Sequence, residues 1–125
     1  VEQITREQMV AEFGEPGVQN PMVVDLITED AASGDVVLVM IERRAWGASP
    51  QQFAQIEVKI NRYLGYALDG FLVEHYPRYQ GLPVRLRLDC AEEPHGDAIK
   101  FVAAARHAVR GCGLELVVNV TPPAS

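Results

Sequence analysis

The sequence predicts an α+β fold: a two-layer sandwich in which a four-stranded mixed sheet carries its helices mainly on one face, in the order α-β-β-α-β-α-β. Three observations predict it. Residues 22–29 and 35–43 are rich in Val, Ile, Leu and Met and are joined by the polar residues 30–34, the pattern of two antiparallel strands and a hairpin turn. Phe53, Ile56, Ile60, Leu64, Ala67 and Phe71 recur at spacings of three and four, as on a helix packed against a sheet. The stretch PVRLRLDC alternates strictly, with Val84, Leu86 and Leu88 on one side and Arg85, Arg87 and Asp89 on the other, as in a strand whose second face meets water.

Each element has its own local reason. Thr5 and Gln8 have capping-box spacing, and Met9, Val10 and Phe13 supply an apolar side, so a short helix is expected over residues 6–13. GEPGVQNP breaks it and leads into the hairpin; residues 1–20 therefore form a helix and linker within a single domain of residues 1–125. SPQQ at residues 49–52 repeats the capping-box spacing, with Pro50 at the first helical position, where its missing N–H costs nothing. On that helix Gln55, Lys59 and Arg62 fall on faces other than the apolar one. The helix runs to about Tyr76 or breaks near Gly70 into two pieces, and Pro77 stops it.

A second long helix is expected over residues 97–110, presenting Ile99, Val102, Ala105 and Val109 to a core; Gly111–Gly113 supplies glycine for a left-handed cap. LELVVNV closes the chain as a strand, and residues 121–125, TPPAS, form a tail expected to fray. Strand-helix-strand units need crossovers, whereas the hairpin is antiparallel, so the sheet is mixed.

The composition bounds the function. A chain of 125 residues with 48% hydrophobic and 22% charged residues can bury a core of its own. A net charge of -6 argues against nucleic acid as the partner, because that affinity rests on neutralising phosphates with Lys and Arg. No apolar run approaches the ~20 residues of a membrane helix. The amino terminus, VEQITREQMV, carries acids where a secretory signal needs a basic start, so a cytoplasmic protein is expected. Cys90 and Cys112 are too few for a disulfide framework and read as reduced thiols.

Several groups invite a chemical reading. Asp25 and Glu42 sit on the two hairpin strands, and with Arg44 they resemble part of the core of PD-(D/E)xK nucleases, in which an acid on one strand and an acid-x-Lys on the next hold Mg²⁺. Here arginine stands where the lysine would, and arginine stays protonated. If Glu29 pairs with Asp35, Asp25 and Glu42 point to opposite sides of the sheet; a slip of one residue puts them on the same side, and the sequence leaves both open. Cys90, His95 and Asp97, in the loop between a strand's end and a helix, form a conceivable nucleophile set, set against a buried strand-end cysteine and a helix-capping loop. Cys90, Glu92 and His95 lack the paired spacing of a zinc site. His75 and His107 are isolated.

Trp46 is expected to staple the helix that follows by packing near Phe53, in preference to serving as a ligand platform. Arg85, Arg87 and Asp89, with Glu115 and Asn119 from a neighbour, would make a polar sheet face able to dock a partner. Asn61 sits mid-helix, where its propensity is poor, and Tyr63 can bury its ring with its hydroxyl at the layer edge.

The V-D-L opening of the hairpin, the tryptophan before a capped helix, and K-I-N-R-Y-L, followed by D-G and Y-P, are similar to a family of short, functionally uncharacterised bacterial proteins over about residues 22–120. The resemblance implies an α+β domain with no known activity. Lys59, Asn61 and Tyr63 match its pattern without assigned roles, while Arg43, Arg44 and Ala45 depart from the Asp-His-Leu-like segment found there.

The reading is a non-enzymatic binding or protein-interaction domain, self-associating as a homodimer, with no cofactor and no bound metal. Trp46, Asn61, Tyr63, Arg85, Arg87 and Asp89 are its candidate binding residues. The rival is a small enzyme built on Asp25 and Glu42 or on Cys90 and His95.

Overall fold

The computed structural model describes residues 17, 18, 20 and 24–121. The helix expected over residues 6–13 and the tail from residue 122 lie outside the described residues. Strand β1 (Leu26–Glu29) and strand β2 (Val36–Glu42) form the hairpin; helix α1 (Gln52–Leu68), helix α2 (Phe71–His75) and a 3-10 turn (Pro77–Tyr79) follow. Strand β3 (Val84–Cys90), helix α3 (Asp97–Gly111) and strand β4 (Leu116–Val120) complete the order. The sheet order is β1-β2-β3-β4, with β1 antiparallel to β2 and the other pairs parallel, so the expected mixed sheet is present.

The hairpin turn is built by Asp30. Its Oδ1 accepts the N–H groups of Ala32 (2.8 Å) and Ser33 (3.0 Å), and Gly34 takes φ +78°, a left-handed conformation that glycine adopts without steric cost. Those bonds and the nearby Arg85 guanidinium hold the Asp30 carboxyl below the usual carboxylate range. This turn sets the register: Glu29 pairs with Val36, and Leu26 with Val39. Asp25, one residue before Leu26, therefore shares the face of Leu38, Met40 and Glu42.

That face carries the core. Val36, Leu38 and Met40 of β2, Leu86 and Leu88 of β3 and Leu116 of β4 pack in one cluster with Ile56, Ile60 and Leu64 of α1 and Ala98, Val102 and Val109 of α3. Both long helices thus lie on one side of the sheet, joined by Phe53 and Phe101, whose rings stack with centroids 4.6 Å apart.

Two expected core residues are elsewhere. The first long helix ends at Leu68, and Gly70 turns the chain at φ +88°, so Phe71 opens a new helix out of phase with α1 and is 50% exposed. Ile99 is 58% exposed because the buried stripe of α3 runs through Ala98, and adjacent helical residues point about 100° apart. The end of α3 follows expectation: Leu114 N–H donates to Val109 O (3.3 Å) and Gly113 N–H to Arg110 O (3.0 Å), with Gly113 at φ +85°, a Schellman cap.

The start of α1 does not. Gln52 sends its side chain back past Ser49, accepting Gly47 N–H (2.7 Å) and donating to Ala45 O (3.1 Å), and Ser49 Oγ is buried without a hydrogen-bond partner. Of the two capping-box residues only Gln52 is used, and it closes the turn after Trp46.

Candidate functional site

The deepest polar cluster joins the two motifs that carry the family resemblance. Asp25 ends the approach to β1 with its side chain on the helix side of the sheet. Lys59 lies three residues after Ile56 and four before Tyr63, so helical phase turns it toward the same place. Both side chains are fully buried, and Lys59 Nζ donates to Asp25 Oδ1 at 2.7 Å. The ammonium also donates to the carbonyls of Gly17 (2.7 Å) and Asn20 (2.6 Å). Asp25 Oδ1 accepts Gly17 N–H (2.8 Å), and Oδ2 accepts Ile41 N–H (2.9 Å). Tyr63 completes the cluster by accepting Asp25 N–H at 2.7 Å and donating to Val39 O at 2.8 Å.

Every strong donor and acceptor in this cluster has a partner, as a buried ion pair requires if it is to offset its desolvation. Burial draws the Lys59 ammonium below the ordinary lysine value, while Asp25 opposes that shift. Burial raises the Tyr63 phenol far above its ordinary value, and the Asp25 charge adds to the effect. The arrangement clamps Gly17, Asn20 and Asp25 to α1 and β2. It offers no solvent-reachable atom for chemistry.

Glu42, on the same face, is buried at 1% exposure and gripped by its own chain. Oε1 accepts Arg44 N–H (2.8 Å) and Nε–H (2.9 Å), Oε2 accepts Nη2–H (2.7 Å), and Arg44 Nη1 continues to Gln55 Oε1 (2.9 Å). The register does put Asp25 and Glu42 on one side of the sheet, yet each already accepts three hydrogen bonds, a donor set that does not fit a Mg²⁺ site. Among the described residues no group of three His, Cys, Asp or Glu side chains converges as metal ligands would.

Cys90 is buried, its Sγ 3.6 Å from Asn119 O, and burial pushes its thiol up, away from the thiolate a nucleophile needs. His95 stands at the surface, its Nε2 3.1 Å from Glu92 Oε1. Glu92 instead serves Trp46: its carboxylate accepts Trp46 N–H (2.8 Å) and its backbone carbonyl accepts Nε1–H (2.9 Å). The Trp46 N–H, and after it the His95 ring, hold the Glu92 carboxyl below its usual range. Trp46, largely buried, lies 6.3 Å from Phe53, centroid to centroid, and so packs beside the first turn of α1.

The charged row on β3 is paired within the sheet. Arg87 donates to both oxygens of Asp89 (2.8 and 3.1 Å), Asn119 donates to Asp89 (3.3 Å), and Arg85 bonds Asp30 and lies 3.6 Å from Asp35. Val37 and Val39, on the same face, are buried. This face is a set of satisfied ion pairs over apolar neighbours rather than a row of free charges.

Asn61 has the different setting. It is exposed and lines an apolar groove of ≈ 280 Å³ between α1 and α3, with Ile60 and Leu64 on one wall and Phe101, Ala104 and Ala108 on the other. Beyond the Phe53–Phe101 stack lies a second hollow of ≈ 220 Å³ beside Trp46, His95 and Asp97. Lys59 and Gln52 are the structurally decisive residues that sequence reasoning missed. Their signal was present: both stand three or four residues from Ile56, on the buried side of α1.

A model described as a family of unknown function, DUF6572, matches residues 17–122, and the chain belongs to that family. The matched span includes Asp25, Lys59 and Tyr63. No curated protein and no solved structure matches the chain. Among the described residues no helix is long and apolar enough to cross a membrane.

Proposed function

We propose that this member of a family of unknown function is a non-enzymatic protein-interaction domain of a cytoplasmic bacterial protein, and that it binds through the outer face of its helical layer. One observation carries the reading. The group types that could react, Asp25, Glu42 and Cys90, are buried and internally bonded, while the groove beside Asn61 is open and apolar. Small apolar walls with Glu57 and Asn61 at the rim suit the docking of a helix or apolar side chains.

The rival, a small enzyme, makes different demands. A metal-dependent site would raise the melting temperature with millimolar Mg²⁺ or Mn²⁺, and a cysteine nucleophile would react with a disulfide reagent in the native state. We expect no thermal shift, rapid labelling of the exposed Cys112 and labelling of Cys90 only on unfolding. For the groove itself, methyl NMR with a small apolar probe such as benzene is expected to shift Ile60, Leu64, Ala104 and Ala108. Shifts scattered elsewhere, or none, would remove the groove as a binding surface.

A further inference from the structure

Strand β2 is buried on both of its faces. Its sequence, VVLVMIE, is a near-continuous apolar run of the kind found in strands covered on two sides, whereas β3 alternates in residue type and in burial. Leu38 and Met40 turn toward the helices and belong to the core cluster; Val37 and Val39 turn the other way, stand outside that cluster, and are 2% and 0% exposed. The neighbouring strands do not account for this. Leu26, opposite Val39 on β1 and on the same face, is itself 48% exposed. Arg85 reaches past Val37 to Asp30 and Asp35, and its stem can shelter that residue. Arg87, opposite Val39, is tied along its own strand to Asp89. Both long helices pack on the far side of the sheet, so among the described residues no element supplies the cover that a fully buried Val39 needs.

We propose that the chain's own residues 6–13 are that cover, laid over β2 on the face away from α1 and α3 as a partial third layer. The chain arrives at the right place. Val18 is fixed beside the end of β2, its N–H donating to Ile41 O at 3.0 Å, and Ile41 is two residues, about 7 Å, from Val39. Phe13 precedes Val18 by five residues, a reach of up to about 17 Å. The segment also carries the matching chemistry. In a helix over residues 6–13, Met9, Val10 and Phe13 make one apolar side and Glu7 and Glu12 flank it on its two edges, so in either direction an acid comes alongside the arginine row of β3. With this occupant in place Arg85 and Arg87 rim a closed face, and outside partners are left the groove between α1 and α3, on the opposite side of the sheet. The inference stands apart from that groove and does not depend on it.

Nuclear Overhauser spectra of the full chain, labelled at its Leu, Val, Met and Phe side chains, test this. Contacts from the Phe13 ring and the Met9 methyl to the methyls of Val37 and Val39 are expected, and in an equal mixture of labelled and unlabelled chains they should arise within one chain. Contacts that arise only between chains would give the face to a second copy and overturn the proposal, as would their absence with the Val37 and Val39 methyls resolved. A soluble paramagnetic agent gives a second readout. In the parent chain the methyls of Val37 and Val39 should be as protected as those of Leu38 and Leu88; in Val10→Asp/Phe13→Asp they should lose that protection while Leu38 and Leu88 keep theirs. Ala11→Asp, on the opposite side of the expected helix, should leave all four protected. Undiminished protection in Val10→Asp/Phe13→Asp would show that the arginine stems suffice and would remove the segment from the face. If that variant unfolds, the contacts in the parent chain still decide.

Discussion

At the residue scale, the buried Lys59–Asp25 pair explains why an acid opens the hairpin and a lysine occupies the helix. Removing one partner strands the other charge out of water, which costs about 3–5 kcal/mol, whereas removing both costs much less than the sum. We expect Lys59→Met and Asp25→Asn each to be severely destabilising in urea unfolding and the double variant to recover a large part of the loss; simple additivity would show that the pair is not coupled. Tyr63→Phe orphans Asp25 N–H and Val39 O and should cost about 1–3 kcal/mol. The phenol also sets a pH dependence. Its folded-state pKa is raised above the ordinary 10.0, so the native state holds this proton more tightly than the unfolded chain does. Its contribution is complete below pH 10 and is lost as pH climbs above it. The alkaline loss of stability should therefore be shallower in Tyr63→Phe than in the parent chain.

At the scale of the element, the sequence spoke clearly where local chemistry decides and less clearly where side chains travel. The strict alternation of residues 84–90 marks the whole of β3, and GCG marks the Schellman end of α3, because period and positive φ are properties of the chain itself. The start of α1 was legible in position but not in wiring. Ser49 and Gln52 have capping-box spacing, yet Gln52 reaches the turn after Trp46 instead, and spacing alone does not reveal a competing partner. This difference is measurable. Ser49→Ala should escape the cost of about 1 kcal/mol that loss of an N-cap brings, because its hydroxyl has no partner. Gln52→Ala, which loses two hydrogen bonds to the turn, should be destabilised by about 1–3 kcal/mol in thermal melts. The reverse order would restore the cap.

The whole molecule was legible as an architecture, since order and periodicity fix which elements a mixed sheet can hold. The candidate site was legible only in part. Lys59 reads as a lysine without a partner until Asp25 and the carbonyls of Gly17 and Asn20 are placed around it, and the register that aligns Asp25 with Met40 depends on how Asp30 closes the turn. Helical phase marks Lys59 as buried, but the identity of its long-range partners carries no local signature. They do have a consequence for how stability is distributed. β2 and β3 are paired on both sides, whereas β1 is a four-residue edge strand held to the fold by the hairpin and by the Asp25 clamp. Amides of Leu38, Met40, Leu86 and Leu88 should therefore exchange with deuterium only through global unfolding. Those of β1 should open at lower free energy. In Lys59→Met the gap should widen, with β1 exchanging faster relative to β3 and β4 after the global loss is subtracted; an equal acceleration throughout the sheet would mean that the clamp supports the fold as a whole and not its first strand.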